Sequence, residues 1–329
     1  MVQAPQAVSL SGYHLACELV ETCMATDLKP EDPCRCNSGR PYGSCHQPIV
    51  EAPKGRMIEF AREIYASEWA ANAEAYDQQG IYDNLAAELA ARGQICRLLD
   101  VGCGLGHGLK AMRAALEAPL LQLIGLDENP SCLISAAKRL GVDIRPDNTN
   151  RLVDVVLPNG LYRSMPRPGP LTADPGITLI QCDLLVRDET FSSWLESIGP
   201  LDAITLWFSG VHKARSATEL ASFFEIRNDA DHRECVEDAV FQLARQHLRP
   251  SGVLQVVNRG GFPSESLAIS EHRRIFGTVA EDAGLALISI IPHRYDEPVV
   301  SNSVRVRSLN RDVDALPHYA VSMLFEPAA

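Results

Sequence analysis

Cys34, Cys36, Cys45 and His46 stand in the pattern C-x-C-x8-C-H. Three thiolates and an imidazole within so short a stretch can close a tetrahedral zinc site around the Ser38-Gly39 turn. Four protein ligands leave no open position for a substrate, so a zinc ion here is expected to be structural. A second chemistry-bearing stretch is Asp100-Val101-Gly102-Cys103-Gly104-Leu105-Gly106, which closes an apolar run and opens a helical pattern. A glycine turn between a buried strand and a helix lets backbone amides and the helix N-terminus come against a ligand. The spacing is not that of a dinucleotide site. G-x-G-x-x-G/A started at Gly102 meets His107, and started at Gly104 it meets Leu109; a third register, from Gly106, matches in letters but lies inside the helix. No Lys-Ser or Lys-Thr follows to make a phosphate loop.

What the loop does match is D-x-G-x-G-x-G, and in this it resembles the first motif of the class I S-adenosylmethionine (SAM) dependent methyltransferases. That resemblance implies SAM as cofactor, S-adenosylhomocysteine as product, and Asp100, Gly102, Gly104 and Gly106 beside the bound cofactor. Asp127 ends the next apolar run, 25 residues beyond Gly102, where an acid can accept from both ribose hydroxyls of an adenosine. Gln181-Cys182-Asp183-Leu184 resembles the family's adenine site, with Asp183 for the exocyclic amine and Leu184 against the ring. Pro200-Leu201-Asp202-Ala203-Ile204 and Leu248-Arg249-Pro250-Ser251-Gly252-Val253 also resemble family signatures. The resemblance spans roughly residues 95–329. The cysteine cluster, with Tyr42 and its Ser-Gly turn, resembles the SEC-C zinc motif, although Arg40-Pro41 stands where lysines are common. Such a knuckle either docks a partner protein or staples the first helix to the catalytic domain.

The elements that must position these residues alternate. Apolar runs at Ile95–Val101, Leu121–Leu126, Ile177–Cys182, Ala203–Phe208, Val253–Asn258 and Leu285–Ile291 read as buried strands. Helical patterns at Gly106–Leu116, Pro130–Leu140, Thr190–Ile198, His232–Leu248 and Ser264–Ala283 lie between them. This predicts a doubly wound α/β domain whose seven-stranded sheet is mostly parallel and covered on both faces. The last run, Tyr319–Phe325, has no crossover helix before it and is expected to pair antiparallel with the strand before it. The domains are expected to be residues 1–56, a short helix and the zinc module, and residues 57–329, the methyltransferase domain. Within the latter, residues 57–94 form a helical cover, and the proline-rich stretch 145–176 reads as a long inserted loop whose single convincing apolar run is Leu152–Leu157.

On the substrate side, Tyr65, Trp69, Ala73 and Tyr76 fall on one helical stripe, which serves either packing or a lid over the cofactor. Trp69, Tyr76 and Tyr82 are the lid candidates. Trp207-Phe208-Ser209-Gly210-Val211-His212-Lys213 follows the fourth strand, where open α/β sheets bind ligands. Trp207 and Phe208 are substrate candidates there, and His212 is a candidate base for a nucleophilic oxygen or nitrogen. Asn258 and Arg259 are weaker candidates, and Arg305, Arg307 and Arg311 read as solvated charge. The N-P-P-[YFW] tetrapeptide of amino methylation is absent. A formal charge of −12 disfavours a nucleic-acid groove, so a small-molecule acceptor is expected first. A protein acceptor recruited through the zinc module is the alternative, and a SAM-binding protein without transfer is a third reading. No apolar run is long enough to span a membrane, and Met1–Leu10 lacks a basic stretch leading into an apolar one, so a cytoplasmic location is expected.

Overall fold

Leu98 to Val101, Ile177–Gln181 and Leu201–Trp207 are buried throughout their length, as strands covered on both faces must be. In the computed structural model, which describes residues 28–33, 41–45, 47–51, 55–116, 118, 121–174, 176–298 and 316–328, these runs lie at the centre of a seven-stranded sheet. Its strands are β1 (Arg97–Val101), β2 (Gln122–Asp127), β5 (Ile177–Gln181), β6 (Leu201–Trp207), β7 (Leu248–Gly261), β8 (Leu285–Tyr295) and β9 (His318–Pro327). Their order is β5-β2-β1-β6-β7-β9-β8. The five from β5 to β7 run parallel. Strand β9 enters between β7 and β8 and pairs antiparallel with both, so its neighbour is not the preceding strand alone.

The period-2 alternation of each strand splits its apolar residues between two faces. Leu98, Leu123, Leu179, Ala203 and Val253 pack on one side under α2 (Ile81–Ala90), α3 (His107–Ala115) and α4 (Pro130–Leu140). Their chain neighbours Leu99, Ile124, Ile180, Ile204 and Leu254 pack on the other under α5 (Glu189–Ile198), α6 (Asp229–His247) and α7 (Glu265–Asp282). Each leucine, isoleucine or valine among them, fully buried, contributes about 1.5–3 kcal/mol. The helices begin where the sequence supplies caps. Asn129 accepts from the Ser131 amide with Pro130 at the first helical position, and Asp188 accepts from the Phe191 amide at 3.0 Å. Asp202 clamps the start of the neighbouring strand by accepting from the amides of Cys96 at 2.6 Å and Arg97 at 2.8 Å.

The stretch 145–176 is not the loop its prolines suggest. It holds an antiparallel hairpin, β3 (Leu152–Val156) against β4 (Tyr162–Pro166), turned at Asn159-Gly160, with the Leu157 amide bonded to the Leu161 carbonyl at 2.8 Å. Helix α1 (Met57–Gln78) packs through Ile58 and Ala61 with Tyr162 of the hairpin and Ala214.

Near the N-terminus, the Tyr42 amide bonds to the Asp32 carbonyl at 2.7 Å and the Gly43 amide to the Pro30 carbonyl at 2.8 Å. Tyr42 and Cys45 are buried beside Leu28. Cys34, Cys36 and His46 lie outside the described residues, as do the segment 1–27 and Arg305, Arg307 and Arg311. Among the described residues no group of three or more His, Cys, Asp or Glu is placed to hold a metal ion. Among them, too, no helix is long and apolar enough to cross a membrane.

Candidate functional site

Parallel strands deliver their carboxyl ends to one edge of the sheet, and the loops there surround a cavity. Gly102 and Gly104 border it in the left-handed region, at φ 67° and 53°. A Cβ at Gly104 would also stand 3.3 Å from Trp69 Nε1, so both backbone angle and space select glycine. The Gly104 amide donates to Asp127 Oδ2 at 2.9 Å and the Asn129 amide to Oδ1 at 2.8 Å. Each Asp127 oxygen thus keeps a lone pair for another donor. Burial, and then neighbouring Glu128, push Asp127 up to about 7. Burial does the same to Asp100, whose Oδ1 accepts from the Thr205 hydroxyl at 2.7 Å.

Asp183 and Leu184 border the same cavity, but Asp183 is already occupied. Arg215 grips it with two bonds, Nη1 to Oδ2 at 2.6 Å and Nη2 to Oδ1 at 3.1 Å, and the Leu185 amide donates to Oδ1 at 3.0 Å. Gly106 does not reach the cavity. At φ 79° it faces Ala136 of α4, where a Cβ would stand 3.0 Å away, so its role is to let α3 and α4 pack.

The cover comes from α1 and α2. Tyr65, Trp69 and Tyr82 border the cavity, together with Trp207 and Phe208 at the end of β6. The Tyr65 hydroxyl lies where a Cβ on Gly210 would fall, 1.8 Å from it, which seats α1 directly on the segment after β6. Phe208 is a buried non-glycine residue at φ 59°, a conformation that costs energy and clusters at ligand sites. Tyr76 stands one layer behind. Its ring packs on Trp69 and Phe208 at 5.9 and 5.4 Å, and its hydroxyl accepts from Arg259 Nη1 at 2.5 Å. The Arg259 guanidinium lies 5.2 Å from the centre of the Trp69 ring, a cation–π contact that fixes the cover from below. Asn258 faces away, donating to Glu237 at 2.9 Å.

His212 borders the cavity and is 4% exposed. Its Nε2 lies 3.4 Å from Glu128 Oε1. Burial opposes ionisation of Glu128, but Arg62, His212 and Arg215 outweigh it and hold the carboxyl at about 2. Arg62 of α1 joins Glu128 at 2.7 Å to Asp154 of the hairpin at 2.5 Å. Burial pushes His212 down to about 4, and it does the same to His232 of α6, which also borders the cavity.

The structure therefore brings together Asp100, Gly102, Gly104, Asp127, Asp183 and Leu184 with Trp69, Tyr82, Trp207, Phe208 and His212, and leaves Gly106 and Tyr76 outside the cavity wall. Arg62, Glu128, Arg215 and His232 are not among the residues that the sequence motifs single out. A signal existed for the first: Arg62 continues the stripe of Tyr65 and Trp69 one turn earlier, an arginine on a buried face.

No protein-family model matches the chain, and no curated protein matches it in sequence. Solved structures do align with it. A TehB-like SAM-dependent methyltransferase from Corynebacterium glutamicum is 14% identical over 82% of this chain and 99% of that one, at a TM-score of 0.39. Magnesium protoporphyrin IX methyltransferase from Synechocystis with bound SAH is 10% identical over 85% and 91%, at 0.37. Aeropyrum pernix fibrillarin in complex with S-adenosyl-L-methionine is 12% identical over 72% of each chain, at 0.35.

Proposed function

We propose that the chain is a SAM-dependent methyltransferase acting on a small-molecule acceptor. The observation that carries this reading is the Gly104–Asp127 bond at 2.9 Å. It holds a carboxylate at the tip of β2 with one lone pair free on each oxygen, a fit for the paired hydroxyls of a ribose. The Gly102–Gly104 turn borders the same space, and at the next strand tip Leu184 stands for an adenine ring, with the one lone pair that Arg215 leaves on Asp183 Oδ2 for its amine. Bound SAM supplies an electrophilic methyl group on a sulfonium. The protein's part is placement: reacting atoms must be held about 3–3.5 Å apart in line. Tyr65, Trp69 and Tyr82 exclude water from above, Trp207 and Phe208 bound the methyl side, and His212 accepts a proton from the acceptor. The seating of α1 on Gly210 encloses this side of the cavity, which supports a metabolite over a residue on a folded protein. Cys34, Cys36, Cys45 and His46 are a donor set that suits a closed zinc site of structural role.

Calorimetric titration of the full chain with SAM and with S-adenosylhomocysteine tests the reading. Both are expected to bind in the micromolar range or tighter, with methyl label then passing to a low-mass fraction of a cell extract. Absence of binding to the folded protein would sink it.

A further inference from the structure

Four nitrogens around the far side of the cavity have no hydrogen-bond partner within the protein: Nδ1 and Nε2 of His212, Nε of Arg215 and Nδ1 of His232. Their side chains all border the one cavity and are between 4% and 6% exposed. Native structures seldom leave buried polar atoms unpaired, because the desolvation cost goes uncompensated until a ligand or water completes them.

The chemistry of what would complete them is constrained. Glu128 is ionised and lies 3.4 Å from His212 Nε2. A carboxylate accepts only, so it favours the tautomer with the proton on Nε2 and leaves the lone pair on Nδ1. Arg215 has spent Nη1 and Nη2 on Asp183, and its remaining Nε–H can only donate. His212 and Arg215 thus offer one lone pair and one N–H, and His232 Nδ1 is left for another group of the ligand or a water. A hydroxyl satisfies both with a single atom, giving its proton to His212 and accepting from Arg215. A carboxylate has no proton to give. An ammonium is repelled by the guanidinium, and a neutral amine would surrender to Arg215 the one lone pair it needs for the methyl carbon.

On the methyl-transfer reading above, we infer that the acceptor is a hydroxyl group held by His212 and Arg215, with Glu128 as the residue that positions His212. In the step, the O–H bond breaks and its proton passes to His212 Nδ1. The oxygen forms a C–O bond to the methyl carbon as the C–S bond breaks, its electron pair staying on sulfur to leave a neutral thioether. Arg215 Nε–H faces the developing oxyanion, and His212 returns its proton to water. The groups around His212 are Glu128 at the β2 tip, Arg62 of α1, Arg215 on its own segment, Asp154 of the hairpin and His232 of α6.

The test uses the full chain, methyl-labelled SAM and a cell extract, followed by chemical cleavage of the labelled product. Label that survives mild alkali and is released as volatile methyl iodide by hydriodic acid is expected, the behaviour of a methyl ether. Alkali-labile label, from an ester, would overturn the inference, as would label retained on nitrogen, or SAM binding without any transfer. Failure to bind SAM at all would instead remove the reading beneath it. His212→Gln is expected to lower transfer about 100-fold or more with SAM affinity within about threefold. Glu128→Gln is expected to move the acid limb of the pH profile to lower pH, which loss of packing alone would not do. Should His212→Gln not fold, nitrogen-15 spectra of histidine-labelled wild-type protein decide: His212 neutral at pH 7 with its proton on Nε2 is expected, and a proton on Nδ1 overturns the assignment.

Discussion

At the tips of β1 and β2 the polar groups of the cavity wall are bonded inside the protein: Asp127 to two backbone amides, Asp100 to Thr205. Across the cavity, the segment after β6 and the start of α6 present nitrogens with no internal partner. The first wall is assembled when the chain folds and is ready before any ligand arrives. The second is finished only by what it binds. Changes to the first wall should therefore strike cofactor affinity and stability together, while changes to the second should spare the cofactor and strike transfer.

The sharpest break in that contrast is Asp127→Ala, which removes a charge-assisted acceptor and orphans the Gly104 and Asn129 amides. SAM affinity is expected to fall about 100-fold by calorimetry, with circular dichroism verifying the fold. Gly104→Ala comes next. A left-handed alanine against Trp69 is expected to cost about 1–2 kcal/mol, seen as a melting temperature lower by about 2–4 °C per kcal/mol and as weaker SAM binding. The pH dependence is smaller and sharpens the picture. Asp127 sits near 7 in the folded protein, so below that pH a proton blocks one of its oxygens. SAM affinity is expected to rise about tenfold from pH 6 to 8, and Asp127→Asn should flatten the curve. For the ligand-free protein the sign is opposite. Between the ordinary carboxyl range and 7 the folded state holds more protons than the unfolded one, so stability falls as pH rises through that window. Least affected should be the cavity when zinc is chelated: the melt is expected to lose an early N-terminal component while SAM affinity holds.

Much of this was legible in the chain because parallel strands buried on two faces leave continuous apolar runs, and because glycine turns and strand-end acids are local marks. All seven sheet strands stand where those runs predict, and the five glycine-loop and strand-tip residues Asp100, Gly102, Gly104, Asp127 and Asp183 meet on one cavity. The hairpin escaped because Asp154, paired with Arg62, and Ser164, donating to Asp154, break the apolar alternation of β3 and β4 amid six prolines. Its Asn159-Gly160 turn was the overlooked signal. Arg62, Glu128 and Arg215 escaped for another reason. Their partners lie 66, 92 and 32 positions away, and an ion pair between distant elements leaves no period in either segment.

Arg62 touches three parts of the molecule at once: its own cover helix, the β2 tip through Glu128, and the inserted hairpin through Asp154. The insertion is thereby a counter-charge to the cavity, since without Asp154 a guanidinium 6% exposed would face a single carboxylate already shared with His212. Trimming residues 145–176 as a dispensable loop would unbalance the base, and anyone grafting this cavity onto another scaffold would have to carry the hairpin with it.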